Sequence, residues 1–187
     1  AREIRRRAAA ALADTFPGSE GLVEAAPIST IDSLAARLLR LHGAPAGIDP
    51  AFRVLDEIES RVRFRIWARE ALEDPGAPVV EGNRGLEDLL EDAYAVITQA
   101  RAQGVDPEDF ARHVGADLKV GPPSPDGQLI SRRYRVLDGR LRAENLFDFP
   151  RLLFELDRLL VTRGDALPKY REVLVDEYQD TTPLQER

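Results

Sequence analysis

The sequence predicts a mainly α protein with a short strand near each end, on three observations. Leucine-rich apolar positions recur at helical spacing along most of the chain. Pro- and Gly-rich stretches punctuate those segments. Two short segments, Leu22–Ile28 and the continuously apolar Val173–Val175, have the length of strands rather than helices.

Residues 2–14, rich in Arg and Ala, read as a helix that Pro17-Gly18 ends. Leu22–Ile28 is then the first strand. Ser29 or Thr30 caps the next helix, whose Leu34, Leu38 and Leu41 recur at i, i+4, i+7. Gly43 closes that helix, where a left-handed residue is expected. Leu55–Leu72 is a longer helix with Leu55, Ile58, Val62 and Ile66 on one face and an Arg61/Arg65/Arg69 stripe. Asp74–Gly82 is a turn region. Leu86–Ala102 is helical, with Leu86, Leu89/Leu90, Ala93 and Ile97 inward, and Asp106-Pro107 starts a short helix through His113. Gly121–Gly127 reads as a loop because of its three prolines. Leu129–Ala143 is helical with a possible break at Gly139. Asp148 caps a helix to about Thr162, with Pro150 in its first turn. Val173–Val175 is a buried strand, and it resembles a central strand separated from its neighbours.

The 187 residues suffice for one sizeable core or two small ones. With no Cys and two His, disulfide, thiolate and His-rich metal chemistry are excluded. No apolar run is long enough to span a bilayer. No secretory leader opens the chain, and a reducing, cytoplasmic setting is expected. The net charge of −7 argues against a dedicated nucleic-acid coat while allowing local basic grooves. The acidity is concentrated in residues 71–120, which hold 4 basic and 11 acidic residues. The absence of Met suggests an internal piece of a longer polypeptide.

Chemistry is concentrated at Val173–Gln185. A strand that ends in Asp176-Glu177 sets two acids at the carboxyl edge of a sheet, where ligands bind in open α/β folds. One carboxylate there suits Mg²⁺ through its waters, since a hard ion takes oxygen ligands. The next suits a general base for a water attacking a γ-phosphate. The full string D-E-Y-Q-D-T-x-x-x-Q resembles motif II of the UvrD/Rep/PcrA helicases of superfamily 1, with Thr182 where Asn is usual. The resemblance implies Asp176 as the Mg²⁺ ligand and Glu177 as the catalytic base. It further implies that Gln179 and Asp180, with Tyr178, adjoin the nucleotide.

Other stretches agree in order. S-T-I-D-S-L-A-A-R-L-L-R (Ser29–Arg40) is similar to the family's motif Ib, in the form of its RecB/AddA branch. Ser29, Thr30 and Asp32 would there lie against a single-strand phosphate at a helix N-terminus; Asp32 replaces the commoner His. Arg132–Leu153 resembles a family region ending D-F-D-D-L-L, with Asp148-Phe149 matching and Pro150-Arg151 replacing two acids. A-R-E-I-R-R-R and Ala93–Phe110 resemble further family stretches more loosely.

The implied architecture is a helical accessory (1B-like) domain flanked by short strand/helix pieces of a P-loop NTPase α/β motor domain. The expected division is 1–43 (edge of motor domain 1A), 44–147 (accessory 1B-like) and 148–187 (return to 1A with motif II). The sequence contains no G-x-x-x-x-G-K-[ST] phosphate loop. The chain by itself is therefore expected not to hydrolyse ATP. The parent is expected to be an ATP- and Mg²⁺-dependent DNA helicase acting on single-stranded and duplex DNA in repair or recombination. A partner subunit is implied if it is of helicase–nuclease type. A different class stays open: a non-catalytic helical module that docks on DNA or protein. The stripes Arg61/Arg65/Arg69 and Arg132/Arg133/Arg135/Arg140/Arg142 either track phosphates or are solvated faces paired with acids. Trp67 and Tyr134 either stack on bases or belong to the core. His42 is most simply a residue at a helix C-terminus.

Overall fold

The computed structural model describes residues 2–18, 20–71, 85–116 and 125–186. The helices are α1 (Arg2–Thr15), α2 (Glu20–Ala25), α3 (Ile31–His42), α4 (Glu57–Glu70), α5 (Leu86–Ala102), α6 (Pro107–Ala116), α7 (Pro125–Ala143) and α8 (Phe149–Arg163). Among the described residues, two two-residue strands, β1 (Arg53–Val54) and β2 (Leu146–Phe147), and three short 3-10 turns complete the regular structure.

Capping explains where several helices start. Thr30, Asp56, Asp106 and Asp148 each accept a hydrogen bond from the backbone N–H three residues on. The partners are Ser33 at 3.2 Å, Glu59 at 2.8 Å, Asp109 at 2.7 Å and Arg151 at 3.0 Å.

Several expectations are corrected. Leu22–Ile28 is not a strand: most of it lies in α2, which satisfies its own backbone where no neighbouring strand is available. Gly43 is right-handed at φ −79°, so handedness is not its reason. Its requirement is space, since a Cβ there would lie 2.4 Å from the Leu39 carbonyl oxygen and 3.0 Å from Ile48 Cβ. On α3, Leu38 is buried as its spacing suggests, but Leu41 is exposed and Ala35, Ala36 and Leu39 are buried in addition. On α4, Ile58, Val62 and Ile66 face solvent while Phe64, Trp67, Ala68 and Ser60 are buried. The aromatics have more apolar area to hide, and they set the rotation of the helix. α7 begins at Pro125 rather than Leu129 and passes through Gly139 unbroken. Asp74–Gly82 and Gly121–Ser124 lie outside the described residues.

The largest correction concerns Val173–Val175. No strand forms there, and Leu174 is 94% exposed. A strand is held by its neighbours' backbone groups, and the only sheet among the described residues is β1–β2.

That pair is parallel, with Arg53 opposite Leu146 and Val54 opposite Phe147. Arg53 N–H donates to Asn145 O at 3.1 Å and Leu55 N–H to Phe147 O at 2.7 Å. It stands between two cores. One packs Leu55, Phe64, Leu90, Ile97, Leu137 and Leu146 between α4, α5 and α7. The other packs Leu39, Ile48, Phe52, Phe147, Leu152 and Leu184 around α3 and α8. Successive strand residues point to opposite sides, so Leu146 serves one core and Phe147 the other.

Candidate nucleotide and nucleic-acid site

The D-E-Y-Q-D-T segment follows α8 and hangs from the second core by one buried side chain, Leu184. Its geometry is local. Glu177 is left-handed at φ 52°, ψ 42°, which turns the chain into a 3-10 turn over Tyr178–Asp180. Asp180 N–H closes that turn on Glu177 O at 2.9 Å. Asp176 Oδ1 accepts from Glu177 N–H at 3.1 Å, and the Gln179 amide donates to Glu177 Oε2.

Thr182 and Gln185 then bond reciprocally. Thr182 Oγ1 accepts from Gln185 N–H at 3.3 Å, and Gln185 Oε1 accepts from Thr182 N–H at 2.9 Å. That is the capping-box arrangement of a helix start, with Pro183 in the first turn. Thr182 replaces the usual Asn with another capping side chain, so the substitution keeps the turn.

Asp176, Glu177 and Asp180 are all exposed, and among the described residues none is in an ion pair. Nothing in the fold sequesters them. No group of three or more His, Cys, Asp or Glu is placed to hold a metal among the described residues.

The start of α3 is the second expected site. Ser29 is exposed. The Thr30 hydroxyl donates to Ser33 Oγ at 2.8 Å while capping the helix. Asp32 is half-buried, and desolvation pushes its carboxyl above the ordinary value, against a backbone hydrogen bond that lowers it. Ser29 and Thr30 thus present polar groups at a helix N-terminus, with a partly desolvated acid beside them.

Most of the striped arginines are paired with acids, but Arg133 is buried, 3% exposed, with its Nε lacking a hydrogen-bond partner. Arg61 meets Glu57 at 3.4 Å, Arg65 meets Glu91, and Arg69 meets Glu87. Arg135 meets Glu108 at 3.6 Å and Arg140 meets Glu70 at 2.8 Å. Trp67 and Tyr134 are core residues at 5% and 2% exposure.

Sequence reading missed two features. Asp148, foreseen as a cap, also takes a bidentate ion pair from Arg101 and a hydrogen bond from Ser60 Oγ at 3.3 Å, all buried. Burial draws the Arg101 guanidinium downward, but the charge and hydrogen bonds of Asp148 prevail and hold it above its usual range. Only folding brings positions 47 apart in sequence together. The second is a groove of about 450 Å³ between α4, α5 and the start of α8, lined by Ser60, Arg61, Glu91, Tyr94 and Thr98 among others.

The whole chain, residues 1–187, matches the UvrD/REP helicase N-terminal domain. The chain belongs to the UvrD/REP helicase family. As a UvrD/REP member it is similar to the ATP-dependent DNA helicase srs2 of Schizosaccharomyces pombe, at 25% identity over 158 residues, 83% of this chain and 18% of that protein. It is likewise similar to the ATP-dependent DNA helicase UvrD2 of Mycobacterium tuberculosis and Mycobacterium bovis, at 28% identity over 191 residues, 99% of this chain and 25% of each protein. The chain thus spans between 18% and 25% of the length of these relatives. A mainly helical UvrD/REP segment is what the structure shows. No described helix is long and apolar enough to cross a membrane.

Proposed function

We propose that this chain is the part of an ATP-dependent DNA helicase that carries the magnesium ligand and general base of the motor, with a helical accessory unit inserted before them. The observation that carries the reading is the exposed, locally ordered D-E-Y-Q-D-T-x-x-x-Q segment, in a chain matching the helicase N-terminal domain from end to end. The division 1–43, 44–147 and 148–187 is supported in outline by the two cores that meet at β1–β2, although Ile48, Phe52 and Phe147 pack in the second core with α3 and α8.

Asp176 would hold Mg²⁺, and Mg²⁺ when bound neutralises charge on the triphosphate of ATP. The Glu177 carboxylate accepts the proton of the attacking water. Gln179, through its amide on Glu177 Oε2, is a positioning residue that fixes which oxygen of Glu177 stays free. Asp180 lies one residue beyond, on the same 3-10 turn, and belongs to the nucleotide side. Ser29 and Thr30 receive a phosphate of single-stranded DNA, and Asp32 limits that affinity by its charge. The parent acts in repair or recombination on single-stranded and duplex DNA. The T-I-D-S form at Thr30–Ser33 favours the helicase–nuclease branch, and with it a partner subunit.

The test uses the complete polypeptide encoded by the reading frame and, beside it, the 187-residue chain. In the complete protein, Glu177→Gln lowers DNA-stimulated ATP hydrolysis by roughly 10²–10⁴-fold while nucleotide still binds. The 187-residue chain, without a phosphate loop, does not hydrolyse ATP. Full hydrolysis by the Glu177→Gln protein would overturn the assignment. A complete protein that binds DNA without any ATPase would favour the non-catalytic docking module instead.

A further inference from the structure

We propose that the cavity bounded by the Ala46–Asp49 loop, the end of α7 and the first three turns of α8 is a binding site for a phosphate-class oxyanion, held by Arg142, Arg151 and Arg158. The cavity measures about 320 Å³. Of the residues discussed above for nucleotide or DNA, Arg142 alone lines it.

Three guanidiniums converge there on one carboxylate. Glu155, 2% exposed, has Arg158 Nη2 at 3.4 Å, Arg142 Nη2 at 3.5 Å and Arg151 Nη2 at 3.9 Å. Asp138 takes a second bond from Arg142 at 2.7 Å. Three cations therefore meet Glu155 in the cavity wall, and Arg142 alone reaches on to Asp138 outside it.

Arg151 is the decisive residue. It is 7% exposed, yet its Nε and Nη1 have no hydrogen-bond partner. Its 3.9 Å approach to Glu155 is too long to count as a hydrogen bond. The guanidinium carbon sits 4.5 Å from the Phe147 ring centroid, which occupies one face of the group. Nε and Nη1 lie on different in-plane edges of the guanidinium, and each is left as a separate donor able to give one charge-assisted hydrogen bond to an oxyanion oxygen. Buried donors in native proteins are otherwise nearly always satisfied. Burial also depresses the Arg151 guanidinium, as expected for a charge lacking compensation. Arg142 and Arg158, each about half-exposed, approach the same space from the rim, an arrangement suited to an ion with oxygens in several directions.

Asp49 also lines the cavity, its Oδ1 accepting from Ala51 N–H at 2.8 Å. Its charge opposes an anion, which makes it a control of opposite sign.

The experiment titrates inorganic phosphate into the 187-residue chain at constant ionic strength, with chloride as the reference. The readouts are the thermal midpoint and the arginine Nε–H resonances. A saturable rise in midpoint and a shifted Arg151 Nε–H signal are expected. Arg158→Gln, at a half-exposed position that leaves folding intact, weakens phosphate binding about tenfold. Asp49→Asn tightens it several-fold, and Arg151→Met abolishes it. Should Arg151→Met fail to fold, the opposite shifts of the other two variants still decide. A twelve-nucleotide single strand that competes for the site with the same variant ranking identifies a nucleic-acid phosphodiester as the source. A strand that does not compete leaves free phosphate as the ligand. A midpoint that moves equally in phosphate and chloride, or equally in wild type, Arg158→Gln and Asp49→Asn, overturns the site.

Discussion

Asp148→Ala is expected to remove a large part of the stability of this chain. The side chain does three things at once. It caps α8 through Arg151 N–H at 3.0 Å, pairs with Arg101 at 2.7 Å through Oδ1, and accepts from Ser60 Oγ at 3.3 Å. Both partners of the ion pair are nearly sealed, with Arg101 5% and Asp148 3% exposed. Removing the carboxylate leaves a buried guanidinium uncompensated, which costs about 3–5 kcal/mol. Losing the cap adds about 1 kcal/mol, not fully additive because the same group supplies both. A net loss of about 4 kcal/mol is large against a typical domain stability of about 5–15 kcal/mol. Urea unfolding followed by the fluorescence of the sole tryptophan, buried Trp67, and by circular dichroism reads it directly. A cycle of Arg101→Leu, Asp148→Asn and the double variant isolates the pair. The double variant should lose roughly 2 kcal/mol less than the sum of the singles. A loss under about 1 kcal/mol for Asp148→Ala, or strict additivity in the cycle, would refute the reasoning.

Tyr134 donates to Val105 O at 2.6 Å, and burial holds its phenol above the ordinary value despite the nearby Arg101 charge. The unfolded phenol ionises near pH 10 while the native one keeps its proton, so stability should fall as pH rises past about 10. Tyr134→Phe should remove that slope and cost about 1–2 kcal/mol at neutral pH, as denaturation curves from pH 8 to 11 will show. Gly43→Ala pushes a Cβ against Leu39 O and Ile48 and should destabilise by about 1–3 kcal/mol in the same unfolding assay. Leu174→Ala should change stability by less than about 0.5 kcal/mol, whereas a buried leucine would lose about 2–5 kcal/mol.

The sequence alone determined most of the longer helices and several of their starts, because capping and 3.6-residue periodicity are local. Thr30 and Asp148 cap the helices they were expected to cap, and α5 buries Leu90, Ala93 and Ile97 as its spacing requires. The D-E-Y-Q-D-T string was legible for the same reason, being a contiguous run of residue types. Local spacing was insufficient where two faces of one helix were both apolar. On α4 the choice between the Ile58/Val62/Ile66 side and the Phe64/Trp67 side was made by packing against α5 and α7. Tertiary structure alone decided the rest. A two-residue strand leaves no pattern to read, so β1–β2 appeared only when segments near 53 and 146 met. The Arg101–Asp148 pair and the unpartnered donors of Arg151 follow from burial, which spacing does not encode. The exposure of Val173–Val175 has the same origin: an apolar run states a preference for burial, and only neighbouring strands can fulfil it.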